Sequence, residues 1–133
     1  MPSVAPRMVL EHHVLVVDDH DDIRDAMALV LELEGCAVAP SCGVEDAFRR
    51  VQQGFRPCVV LLDLHMPDLD GWAFLERTRH EPSLADVPVV IVSGDASERP
   101  AVIAAGHDFV MKPFHSATLM AAIGRQCRRH REE

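Results

Sequence analysis

Five side chains able to do chemistry stand at the ends of apolar runs. Asp18 and Asp19 follow Val14 to Val17, Asp63 follows Cys58 to Leu62, Ser93 follows Val87 to Val92, and Lys112 follows Phe109 to Met111. If the runs are parallel strands, their carboxyl ends share one edge of a sheet, where open α/β folds bind ligands. Three carboxylates, one hydroxyl and one ammonium then meet. Two carboxylates about 4 Å apart repel by roughly 1 kcal/mol in water and about 4 kcal/mol at an effective dielectric of 20. Three together require a cation or a raised pKa. Oxygen ligands with no cysteine nearby favour Mg2+ or Ca2+ over zinc, and few ligands with open positions favour Mg2+, which keeps waters and recruits phosphate oxygens. Lys112 can neutralise a phosphoryl group and Ser93 can hydrogen-bond it. A metal, a fixed cation, an oriented donor and an in-line nucleophile are the parts phosphoryl transfer needs.

The elements that must position these groups are legible from periodicity. Continuous rather than alternating apolarity marks strands buried on both faces, as in a parallel sheet covered by helices. A weaker run, Cys36 to Ala39, ends at Pro40, which suits an edge strand. Helical spacing falls between the runs: Asp21 to Glu34, Val44 to Gln53, Gly71 to Arg79, a short stretch from Glu98 to Ala105 with Pro100 in its first turn, and Ser116 to Arg129. Five strands alternating with five helices predict an α/β sandwich of right-handed crossovers.

The chain of 133 residues suits one domain, and 48% apolar with 26% charged residues suits a soluble globular one. We expect a tail over 1–11, a domain over 12–129 and a tail over 130–133. A net charge of −8 argues against general nucleic-acid binding. The basic stretch Arg125, Arg128, Arg129 and Arg131 reads as a solvated helix C-terminus favoured by the dipole. No run reaches membrane-spanning length, and Met1 to Leu10 lacks the apolar stretch of a signal peptide. Cys36, Cys42, Cys58 and Cys127 form no C-x-x-C pair and read as reduced residues of a cytoplasmic protein. The eight histidines show no metal-ligand spacing.

Val-Val-Asp18-Asp19, Leu-Leu-Asp63-Leu-His-Met-Pro67, Asp70-Gly71, Val-Ser93-Gly94 and Lys112-Pro113-Phe114, in this order from about His13 to Cys127, resemble the receiver domains of two-component response regulators. The resemblance implies a flavodoxin-like fold, a five-stranded parallel sheet of order 2-1-3-4-5. It implies that Asp63 accepts a phosphoryl group from a sensor histidine kinase or phosphotransfer protein, or from a small donor such as acetyl phosphate, and that the domain dephosphorylates itself without turning over an external substrate. Asp19, Asp63 and the backbone carbonyl of His65 would bind Mg2+ directly, and Asp18 mainly through water. Ser93 and Lys112 would hold the phosphoryl oxygens, the Lys112-Pro113 bond would be cis, and Ser93 with Phe109 would form the switch toward a downstream protein target. A dimer formed on phosphorylation fits the same family. Ser93 and Phe109 replace the commoner Thr and Tyr, and the segment from Ser93 to Lys112 is shorter than in most members, so the fourth helix is expected to be short, displaced or partly irregular. His65 and Asp95 occupy positions that tune phosphoryl lifetime.

Each assignment has a plainer rival. Asp18 and Asp19 could be first-turn helix acids, as Asp21 and Asp22 are read. Asp63 and Ser93 could be ordinary strand ends. Asp70 reads as an N-cap beside a turn at Gly71, Asp68 as a loop acid, Phe109 equally as core packing, and Trp72 as packing on the third helix. Three further classes compete. An interaction module that is never phosphorylated would lack an acidic or Lys position. An aspartyl phosphohydrolase would want a second carboxylate where His65 stands. A flavin-binding protein would find its phosphate repelled by Asp18 to Asp22.

Overall fold

The computed structural model describes residues 12–64 and 71–132, with side chains to Cys127. The N-terminal tail expected over 1–11, and His65, Asp68 and Asp70, lie outside the described residues. Five strands, β1 (His13–Val17), β2 (Ala37–Ser41), β3 (Val59–Asp63), β4 (Val89–Ser93) and β5 (Asp108–Met111), alternate with five helices, α1 (Asp21–Leu33), α2 (Val44–Gln52), α3 (Gly71–Thr78), α4 (Arg99–Ala104) and α5 (Ser116–Glu132). All pairs are parallel and the order is β2-β1-β3-β4-β5. This is the flavodoxin-like arrangement expected.

Alternation along each strand divides the core in two. Leu15, Val17, Val60, Leu62 and Ile91 face α2, α3 and α4, where Phe48, Phe74 and Val102 meet them. Val14, Val16, Leu61, Val90 and Val92 face α1 and α5, against Met27, Leu31, Leu119 and Ile123. Each such Leu or Val contributes about 1.5–3 kcal/mol by leaving water. Covering both faces is why the strands read as continuous apolar runs. The register holds the carboxyl ends level: Val17 pairs with Leu62, Asp63 with Val92, and Ser93 with Met111.

Several boundaries differ from the pattern. Pro40 lies inside β2 rather than ending it, which an edge strand tolerates because the ring's missing N–H is not needed on the open side. α1 stops at Gly35, whose φ of 96° suits a glycine, while the N–H of Cys36 returns to Leu31 O at 3.0 Å. The fourth crossover is short, as its length predicts: a single 3-10 turn over Ala96–Glu98 leads into the six-residue α4, with Pro100 in its first turn. Trp72 lies on α3 and is 39% exposed.

The cysteines require a correction. Cys58 and Cys127 are joined as a disulfide, with Cα atoms 5.4 Å apart across 69 residues of sequence, where spacing had pointed to reduced thiols. Cys36, which is buried, and Cys42, which is exposed, take no part in a disulfide. The pair forms because α5 packs beside the start of β3, a tertiary proximity that no local spacing encodes.

Candidate functional site

Asp18, Asp63 and Ser93 are buried polar residues at the ends of β1, β3 and β4. Burying carboxylates is costly unless charge or hydrogen bonds compensate. Compensation comes from a lysine and an imidazole. Lys112, just past β5, places Nζ 3.4 Å from Asp18 Oδ2 and 3.8 Å from Asp63 Oδ2. Its own backbone N–H donates to Ser93 O at 2.9 Å, which fixes the lysine beside β4. His20 brings Nδ1 to 3.0 Å from Asp18, 3.2 Å from Asp19 and 3.5 Å from Asp63. The hydrogen bond with Asp18 raises the imidazole pKa above its ordinary value against the cost of burial, and the charges of Asp18, Asp19 and Asp63 add to the rise.

The sequence reading passed over His20. Its signal was its position, directly after the acidic pair in the loop that leaves β1, where its backbone N–H also donates to Asp18 Oδ1 at 2.9 Å. Asp21 and Asp22 lie in the first turn of α1, as first-turn acids should, and Asp21 pairs with Arg24 at 2.7 Å.

The three carboxylates of the cluster fit a hard divalent cation. Asp18, Asp19, His20 and Asp63 each offer one ligand atom, all within 4.8 Å of one another. Asp19 Oδ1 is buried with the His20 imidazole nitrogen at 3.2 Å but no donor hydrogen aligned on it, a condition in which a carboxylate oxygen gains from a metal.

Gly71 packs against the end of the strand that carries Asp63. Its N–H donates to Leu64 O at 2.7 Å. A Cβ on Gly71 would lie 2.7 Å from Leu64 Cα and 3.1 Å from Asp63 O. Only glycine lets α3 begin this close to the strand end, so Gly71 shapes the site without lending a side chain to it.

Ser93, which ends β4, and Asp95, just beyond it, each have hydrogen-bond partners of their own in the short crossover. Ser93 Oγ donates to Glu98 Oε1 at 2.7 Å and accepts from the N–H of Asp95 at 3.1 Å. The Asp95 carboxylate accepts from the N–H and Oγ of Ser97 at 3.0 and 2.6 Å, so it caps the 3-10 turn. Phe109 is buried, 4% exposed, in the core beneath α4, with Arg99 stacked 5.6 Å from its ring centroid. The Lys112-Pro113 bond is cis, as the resemblance implied.

Comparison with known proteins agrees with this geometry. Residues 14–124 match the family described as the response regulator receiver domain. The chain is similar to the transcriptional regulatory protein CseB of Streptomyces avermitilis, 40% identical over 92% of this chain and 52% of that protein. It is also similar to the transcriptional regulatory protein PrrA of Mycobacterium tuberculosis, 36% identical over 91% of this chain and 52% of that protein. The chain thus spans about half the length of the curated relatives it matches. Among solved structures, a response regulator receiver domain protein from Methanospirillum hungatei aligns with a TM-score of 0.77 at 26% identity, over 92% of this chain and 98% of that one. NtrX from Brucella abortus, solved in complex with ATP, aligns with a TM-score of 0.79 at 32% identity, over 90% of this chain and 28% of that one. The acidic strand ends, the lysine beyond β5, the parallel sheet and the family match over most of the chain lead to one conclusion: it belongs to the response regulator receiver domains of two-component signalling.

Proposed function

We propose that Asp63 is a phosphoacceptor, charged by a sensor histidine kinase or phosphotransfer protein in an Mg2+-dependent reaction. The observation that carries this reading is the approach of Lys112 Nζ to both Asp18 and Asp63, because it joins the acidic pocket to a cation able to hold a phosphoryl group. An oxygen of the Asp63 carboxylate attacks phosphorus. The P–N bond to the donor imidazole breaks, its electron pair returns to nitrogen, and the freed imidazole takes a proton from solvent. Lys112 neutralises an equatorial oxygen, and Ser93 turns its hydroxyl toward another. Asp18, Asp19, Asp63 and the carbonyl of His65 would hold Mg2+, which supplies further neutralisation of the phosphoryl charge. Hydrolysis of the aspartyl phosphate resets the domain, so the chain acts as a switch rather than as an enzyme on an external substrate.

Phosphorylation biases a two-state equilibrium through Ser93 and Phe109, and an output partner reads the result. The names of the relatives favour a transcriptional output, and the net charge of −8 favours its delivery through another segment or protein rather than direct nucleic-acid contact. A kinase that draws on ATP argues for action in the cytoplasm, and no helix among the described residues is long and apolar enough to cross a membrane.

Incubation with acetyl phosphate and Mg2+, followed by intact-mass measurement, tests the assignment. A phosphoryl-sized gain is expected in the wild type and not in Asp63→Asn. An equal gain in both, or in neither, overturns it.

A further inference from the structure

A second cluster lies at the opposite edge of the sheet from the acidic pocket. His12 immediately precedes β1, Cys58 immediately precedes β3, and Cys127 lies on α5. One imidazole nitrogen and both sulfurs lie within 4.8 Å of one another. The backbone holds two of the three residues firmly: the N–H of Ala37 donates to His12 O, and the N–H of Cys58 donates to His13 O, each at 2.8 Å. Cys127 is fully buried. The backbone N–H of His13 also donates to Cys58 Sγ at 3.4 Å. An N–H aimed at sulfur stabilises a thiolate and orients a metal-binding cysteine.

We propose that, once the disulfide is reduced, His12, Cys58 and Cys127 form a binding site for a thiophilic divalent cation, with Zn2+ the natural occupant. Two sulfurs and an imidazole are the soft and borderline donors that zinc selects, whereas the oxygen set around Asp63 suits Mg2+. Reduction by a cellular dithiol breaks the S–S bond, oxidises the reductant to its own disulfide and leaves two thiols. Zn2+ then displaces both thiol protons to solvent, and a water completes the tetrahedron. Tetrahedral coordination with Zn–S near 2.3 Å separates two sulfurs by about 3.8 Å, so from a bonded pair they part by less than about 2 Å. The Cα separation of 5.4 Å permits this by side-chain rotation. In either state the cluster ties α5 to the strand that carries Asp63, so metal and thiol status bear on the helix that follows Lys112.

The test uses the full chain after dithiol reduction and anaerobic removal of the reductant, with excess Mg2+ to occupy the acidic pocket. Zn2+ is titrated against a chromophoric chelator. One equivalent is expected, lost in Cys127→Ala and Cys58→Ser, and weakened at least about tenfold in His12→Ala. Asp63→Asn should bind as the wild type does. Co2+ in place of Zn2+ should give a thiolate charge-transfer band. The oxidised wild type, which needs no substitution, should bind no Zn2+ at this site. No competition by the reduced wild type, equal binding by the oxidised chain, or loss of binding in Asp63→Asn overturns the proposal. Because no readout involves phosphorylation, its failure is distinct from failure of the phosphoacceptor reading.

Discussion

The Ser93 hydroxyl donates a 2.7 Å hydrogen bond to the Glu98 carboxylate. The residue assigned to hold a phosphoryl oxygen is thus already engaged by an acid on the 3-10 turn. A phosphoryl group must win this hydroxyl from a charged acceptor, and its gain frees the turn that begins the shortened crossover. We predict that Glu98→Gln raises the rate of labelling by acetyl phosphate several-fold, since a hydrogen bond to a charged group contributes about 1.5–3 kcal/mol when sheltered and less at this half-exposed position. An unchanged or slower rate in single-turnover labelling would show that Glu98 does not restrain Ser93.

His20 occupies the space between the carboxylates that a cation would neutralise, with Nδ1 within 3.5 Å of Asp18, Asp19 and Asp63. His20→Ala is therefore expected to strengthen Mg2+ binding several-fold, measured calorimetrically at neutral pH. Weaker binding in the variant would instead make the imidazole a supporting group for the hydrated ion.

Gly71 meets the backbone of Leu64, so a methyl group there must displace either α3 or the strand end. Overpacking of this kind typically costs about 1–3 kcal/mol. Gly71→Ala should lower the denaturation midpoint by a corresponding amount and slow phosphoryl uptake, because the displaced backbone carries Asp63. Urea unfolding and acetyl phosphate labelling report the two effects separately, and a variant normal in both would remove the argument.

Acid should loosen the β5–α5 edge. Burial works against a charged Asp108, but the hydrogen bond from Arg125 at 2.7 Å, with others from Phe109 N–H and Gln126, outweighs it and holds the carboxyl below its ordinary pKa. A depressed folded pKa contributes stability above the unfolded value near 3.8 that is lost as pH falls toward the folded one. Neighbouring His107 is held below 6.5 by burial, so its contribution is complete above pH 6.5 and declines as pH falls below that. Arg125 is half exposed, so the pair is worth only about 0.5–1 kcal/mol. Asp108→Asn should cost about that much at pH 7 and progressively less as pH falls below 3.8. A constant difference across the range, followed by urea unfolding, would contradict the pairing.

Local pattern alone determined the strands, the helices and the identity of the acidic and basic strand-end residues. Burial on both faces writes itself into continuous runs such as Val59 to Leu62, and a strand end followed by Asp or Lys is visible in one dimension. Strand order came with the family resemblance, since periodicity says nothing about which strands are neighbours. The tertiary structure alone decided which groups touch. His20 looked like one histidine of eight until the turn after β1 aimed its ring at three carboxylates. Cys58 and Cys127, 69 residues apart, looked unrelated until α5 lay against β3. Glu98 became the partner of Ser93 because a short crossover folds back as a 3-10 turn. The physical reason is the same in each case: burial and backbone propensity act over a few residues and leave a periodic trace, whereas hydrogen bonds, ion pairs and sulfur contacts depend on distances in space that packing sets.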